Sequence, residues 1–309
     1  MTSNGFTGSA AGRRVALFTD VNVEVPSATP DLVEGTTTCE QISFRDRLFA
    51  GDLTTHFSYS KERLALSGLN VSIADGSVAG SFVIRTSEPK SPFTADVKFE
   101  KVDLNRLVAE AGGTWNQAGG FISGFLDIYG KAGDASSING SGQLVLTNGQ
   151  VNQYEIFQVL GKLLQIEELS QLNLQQASAS WRIENGVVLV DQLLLQSANL
   201  RLSAHGVVHP GGRLDLDANL AINQKISRQL PDFIEENFKP VENTNLRSLD
   251  FKIDGTTSHP HTDLEVRVLG KDIEKKVGKK AVDFLNNLFG VKKKKKNNQP
   301  AAPAPTATP

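Results

Sequence analysis

The sequence predicts a mainly β protein built as an antiparallel meander, on three observations. First, apolar and polar residues alternate with period two over many short stretches. Arg213 to Ile222 is the cleanest: Leu214, Leu216, Ala218, Leu220 and Ile222 point one way, and Asp215, Asp217 and Asn219 the other. Such alternation gives a strand one dry and one wet face. Second, turn-forming dipeptides stand between these stretches: Asp75-Gly76, Asn148-Gly149, Asn185-Gly186 and Gly211-Gly212. Each supplies the positive φ that a tight hairpin needs. Third, the unbroken apolar strands with intervening helices that mark a parallel α/β sheet are absent.

The elements follow in order. Phe93, Ala95, Val97 and Phe99 alternate with Thr94, Asp96, Lys98 and Glu100. Trp181 to Glu184, then Asn185-Gly186, then Val187 to Val190 reads as the clearest hairpin, and Val78 to Arg85 follows Asp75-Gly76 in the same way. Leu193 and Leu195 alternate with Leu194 and Gln196. Leu200, Leu202 and Ala204 alternate with Arg201 and Ser203, and Phe251 and Ile253 flank Lys252. Sequential pairing is the simplest topology for such a series. Four segments carry helical spacing instead. Asp103 to Ala111 opens on an Asp cap and stops before Gly112-Gly113. Tyr154 to Leu169 gathers Phe157, Leu160, Leu163, Leu164 and Ile166 largely on one side. Gln224 to Phe238 carries Ile226, Leu230, Phe233 and Ile234, with Pro231 starting a second turn or a kink. Asp272 to Phe289 sets Ile273, Val277, Phe284 and Leu288 against a Lys-rich side. The tail from Asn297 to Pro309 is Pro, Ala and Thr, which predicts disorder.

Composition narrows the function. The 309 residues suffice for a sizeable core, and 32 Lys and Arg nearly balance 34 Asp and Glu. A net charge of -2 and the lack of a basic stripe with aromatics argue against nucleic acid. Cys39 is the only cysteine, so no internal disulfide forms. No apolar run reaches the ~18 residues of a membrane span, and Met1 to Gly12 has no signal-peptide core. Gly120-Phe-Ile-Ser-Gly124 has the wrong spacing for a nucleophile elbow, and Gly130-Lys131 and Gly161-Lys162 lack the rest of a phosphate loop. His205 and His209, four apart in an extended chain, stand ~13 Å from each other, too far to share a metal. His259-Pro260-His261 is a turn, and Asp215 and Asp217 are the wet side of a strand. The expectation is therefore a protein with no catalytic residues, metal or cofactor.

From about Asp103 to Gly270 the order of features resembles the C-terminal region of the AsmA-like family. The resemblance rests on a glycine-rich strand (Gly140-Ser-Gly-Gln-Leu-Val-Leu-Thr-Asn-Gly149), a helix (Tyr154 to Leu169) and a hairpin (Trp181-Arg-Ile-Glu-Asn-Gly186). Ala204-His-Gly-Val-Val208, Gly212-Arg-Leu-Asp-Leu216 and Asp254-Gly-Thr-Thr-Ser-His-Pro260 follow in family order. The first hundred residues match as further meander of the same style. The resemblance implies an elongated, twisted sheet curled into an open hydrophobic groove. It implies a periplasmic place in a Gram-negative envelope, inner-membrane associated through an N-terminal helix, and phospholipid transfer or outer-membrane biogenesis. The sequence lacks that anchor, which predicts a truncated product. On this reading residues 1–102 are a β-groove segment, 103–270 the AsmA-like region, 271–291 an amphipathic helix, and 292–309 a Lys run and tail.

A dry face poor in large aromatics suits acyl chains: each buried methylene is worth ~0.8 kcal/mol against water and almost nothing against a bilayer interior. The expected lining runs from Phe93, Val97 and Phe99 through Leu144, Leu146, Trp181 and Ile183. It continues with Leu193, Leu195, Leu200 and Leu202, then Leu214, Leu216, Leu220 and Ile222. Lys292, Lys293, Lys294, Lys295 and Lys296 abut the last amphipathic segment and predict attraction to an anionic membrane surface. Other envelope proteins are further candidate partners. Alternation alone leaves two alternatives open. One is a closed sandwich or solenoid with a structural or adhesive role; the other is a β-solenoid enzyme acting on polysaccharide.

Overall fold

A computed structural model describes residues 2–3, 6–10, 13–44, 48–112, 118–152 and 155–269. The chain divides into Met1–Val268 and Leu269–Pro309, and all but the first residue of the second unit lies outside the described residues. The expected helix at Asp272 to Phe289, the Lys292 to Lys296 run and the tail fall there.

The first unit is one antiparallel sheet of eighteen strands. Its N-terminal part comprises β1 (Thr2–Ser3), β2 (Phe6–Ala10), β3 (Arg13–Ala28), β4 (Leu32–Phe44), β5 (Leu48–Ser60), β6 (Arg63–Ile73), β7 (Gly76–Arg85) and β8 (Pro92–Asp103). The helix α1 (Leu104–Glu110) precedes β9 (Ala118–Lys131) and β10 (Asp134–Asn152). After α2 (Glu155–Leu164) and a 3-10 turn (Glu167–Ser170) come β11 (Gln171–Leu174), β12 (Gln176–Glu184), β13 (Val187–Gln196), β14 (Leu200–Val208) and β15 (Leu214–Asn223). The chain then runs through α3 (Gln224–Ser227), α4 (Asp232–Glu235), β16 (Lys239–Pro240), β17 (Leu246–Gly255), β18 (Pro260–Thr262) and α5 (Leu264–Leu269).

The pairing is the expected meander. Each strand from β3 to β10 pairs with the next, so the sheet runs unbroken through position 102. β12 to β15 continue it, and β17 joins β15. The sheet is open: β1 and β2 lie along β3 at one edge, and β16 and β18 along β17 at the other. A closed sandwich or barrel is therefore not the architecture.

Local chemistry explains the connections. At the β12–β13 hairpin Asn185 and Gly186 both take positive φ, as expected. At the β6–β7 hairpin the turn sits one residue earlier than the dipeptide predicts, on Ala74 and Asp75. Asn148-Gly149 is not a hairpin. Asn148 has positive φ, but it lies inside β10 at a register shift against β9. A bulge and a turn ask for the same dihedral, so the dipeptide cannot separate them. The Asp103 carboxylate accepts the Arg106 amide N–H at 3.0 Å and caps α1. The expected helix from Tyr154 to Leu169 breaks at Gln165, whose φ is positive, and resumes as the 3-10 turn. Pro231 separates α3 from α4, as its ring requires.

Candidate lipid-binding face

Residues directly opposite each other in antiparallel strands share a face. Following the register strand by strand gives continuous rows across the sheet. One row reads Gly80, Val97, Leu126, Gly142, Trp181, Val190, Gly206, Leu216, Ile253. The next reads Phe99, Gly124, Leu144, Ala179, Leu193, Ala204, Ala218, Phe251. A third reads Val102, Ile122, Leu146, Ala177, Leu195, Leu202, Leu220, Leu249. On the far side lies Ala95, Ile128, Gly140, Ile183, Val188, Val208, Leu214. None of these rows contains a polar side chain. Leu200 opposes Ile222, and Phe93 opposes Ile84, on the same face. All fifteen residues singled out from the sequence therefore lie on one side of the sheet.

Their environments differ. Phe93, Val97, Phe99, Leu144, Trp181, Ile183, Leu193 and Leu195 are half-buried. They belong to a strip that also takes in Leu66, Phe82 and Leu126, and Phe82 and Phe93 stack at 6.1 Å. The other seven are buried. Leu220 and Ile222 are 0 % exposed, Leu200 and Leu202 3 %, and Leu146, Leu214 and Leu216 8 %. As the protein stands these seven are core, out of reach of a ligand, which corrects their expected place in an open lining. The physical reason is a helical cap. Phe157, Leu160, Leu164 and Leu169 of α2 and the 3-10 turn are buried, as are Ile226, Ile234, Phe238 and Leu264 from the later helices and the segments beside them. α3 packs on β15 and β17, and α2 on β18 and on the 3-10 turn.

Polar clamps hold the cap. The Ser197 hydroxyl and the Asn199 amide donate to the Glu168 carboxylate at 2.6 and 2.7 Å. The Arg247 guanidinium donates to the Phe238 carbonyl at 2.7 Å and to Glu235 at 3.0 Å. At the other end of the sheet Val21, Cys39, Ile42, Ala50 and Val71 form a smaller buried cluster on the apolar face.

Glycines thin the apolar carpet. A Cβ at Gly80 or Gly124 would run into the backbone of the neighbouring strand, at Asp96 and Gln143 respectively. One at Gly142 would collide with the Trp181 indole, which lies over it. Close strand approach is what glycine permits inside a sheet, and it is a means of bending one.

The opposite face is polar. Its rows include Asp96, Asp127, Ser141 and Arg182, and Lys98, Phe125, Gln143 and Ser180. The Arg182 guanidinium donates to Asp191 at 3.0 Å; this hydrogen bond first, and the attraction between the charges second, hold it above its ordinary pKa. Hydrogen bonds from Ser136 and then Lys90 lower the Asp134 carboxyl. Among the described residues no three His, Cys, Asp or Glu gather to hold a metal ion, and no helix is long and apolar enough to cross a membrane. No protein-family model, curated protein or solved structure matches the chain.

Proposed function

We propose that this chain is a non-enzymatic envelope protein. It takes phospholipid acyl chains onto its apolar sheet face and so serves lipid transfer between inner and outer membranes. One observation carries the reading: apolar rows run unbroken from strand to strand, and between β6 and β13 Leu66, Phe82, Val97, Leu126, Leu144 and Trp181 stay half-buried, although Val71, Val102, Leu146 and Ala177 beside them are buried. Contiguous apolar surface left partly open to solvent is the kind of surface that binds. Hydrocarbon laid on it leaves water at ~0.8 kcal/mol per methylene, while exchange with a bilayer interior is nearly neutral. Such a surface lowers the barrier to lipid movement without trapping the lipid. Headgroups stay in water, and the polar face carries the protein's solubility. The AsmA-like resemblance adds the periplasmic setting and phospholipid as cargo. The lysine run Lys292 to Lys296, with the amphipathic segment before it, adds a site of attraction to anionic membrane.

Native mass spectrometry of protein incubated with phosphatidylethanolamine and phosphatidylglycerol vesicles tests this. Bound diacyl lipid is the expected result. Protein that stays lipid-free, with its sheet intact by circular dichroism, refutes it. A second reading has its own support in the buried apolar residues of β14, β15 and β17, which have the burial of an ordinary core. In that reading the chain is an envelope scaffold without cargo.

A further inference from the structure

We infer that the helical cap is the end of the lipid path, so that lipid enters and leaves over the long rim of the sheet and not past its C-terminal strands. The inference rests on the lipid-binding reading above and concerns only where the hydrocarbon stops.

The register carries it. The row through Phe99, Leu144 and Leu193 continues without a break into Ala204, Ala218 and Phe251, and nothing in its chemistry changes along the way. What changes is exposure. Leu193 is half-buried, whereas Ala204, Ala218 and Phe251 are buried. The surface that would continue the path is sealed: α3, with its buried Ile226, packs on β15 and β17, and Leu160, Leu164, Leu169, Ile234 and Phe238 of the neighbouring segments are buried too. A lipid tail displacing these side chains gains nothing, since it replaces one apolar neighbour by another and exposes the cap to water. The clamps add a polar penalty. Ser197, itself buried, and Asn199 would lose the Glu168 carboxylate, and Arg247 would lose Glu235 and the Phe238 carbonyl. A path that dead-ends against packed helices exchanges its cargo sideways.

The test uses the unaltered protein and a phosphatidylcholine carrying a diazirine at the end of one acyl chain, delivered from vesicles. After illumination, the labelled residues are mapped by peptide mass spectrometry. The expected labels fall on Phe82, Val97, Phe99, Leu126, Leu144 and Trp181, at least about tenfold above any on Leu202, Leu220, Leu164 or Phe238. Comparable labelling of these last four, with lipid bound, overturns the cap as a terminus and leaves the lipid reading standing. No label anywhere, with no lipid recovered on the protein, sinks the lipid reading itself.

Discussion

Truncating one leucine under the cap and one in the open strip separates core from groove. Leu220 is fully buried, opposite Leu202 on one side and Leu249 on the other. Leu220→Ala removes three carbon atoms, about 2 kcal/mol of transfer free energy at ~0.8 kcal/mol per methylene. It also leaves a cavity that packed helices above and strands on either side fill poorly, adding about 1 to 2 kcal/mol. The expected loss is about 3 to 4 kcal/mol. Leu144 has the same side chain and also sits at a row position, between Gly124 and Ala179, but it is half-buried. Leu144→Ala loses only part of the transfer term and opens no closed cavity, so about 1 kcal/mol is expected. Urea unfolding of delipidated protein, followed by far-UV circular dichroism, reads both. Equal losses would refute the division of the face. A large loss at Leu144 would mean that something of the protein's own fills the strip; a small loss at Leu220 would mean that the cap does not pack on it.

Four further substitutions probe the remaining links. Val97→Glu places a charge between Gly80 and Leu126 in the open strip. It should cut lipid recovered after vesicle incubation about tenfold or more with the sheet retained, because a carboxylate against hydrocarbon is strongly disfavoured. Asp96→Ala, on the polar face opposite Asp127, should leave lipid recovery unchanged. Gly142→Ala drives a methyl into the Trp181 ring; with Trp115→Phe as background, a shift in tryptophan emission and a stability loss of about 1 to 3 kcal/mol are expected. Asp103→Ala removes the cap on the Arg106 amide and should lower stability by about 1 kcal/mol in the same urea assay.

The sidedness of the alternating strands from β8 onward was legible in the sequence, because period-two alternation is a direct record of which residues share a face. That is why Phe93 in β8 and Ile222 in β15, more than a hundred positions apart, belong to one surface. Turn positions were legible where the strands on either side were well marked, as at Asn185-Gly186. They failed at Asn148-Gly149, where a bulge asks for the same positive φ. Burial was not legible in the strands themselves. Leu214-Asp-Leu-Asp in β15 and Phe93-Thr-Ala-Asp in β8 alternate in the same way, yet one is core and the other half-open. Alternation reports a dry side and is silent about what lies on it.

The signal that separates the two halves of the face sits in the helices. The segment from Tyr154 to Leu169 and the segment from Gln224 to Phe238 each carry an apolar stripe too large to leave in water. Both are joined by short connections to strands: α2 leaves β10 and returns through β11, and α3 follows β15 directly. A helix tethered to a sheet with one dry face buries its stripe on that face. The strands near those tethers therefore spend their apolar rows on the protein's own helices. The strands from β6 to β9 carry only the seven-residue α1, which comes off the end of β8 with no buried side chain of its own. What remains uncovered is thus set by where amphipathic helices enter the chain, and the open strip is the part of a continuous apolar surface for which the sequence supplies no such cover.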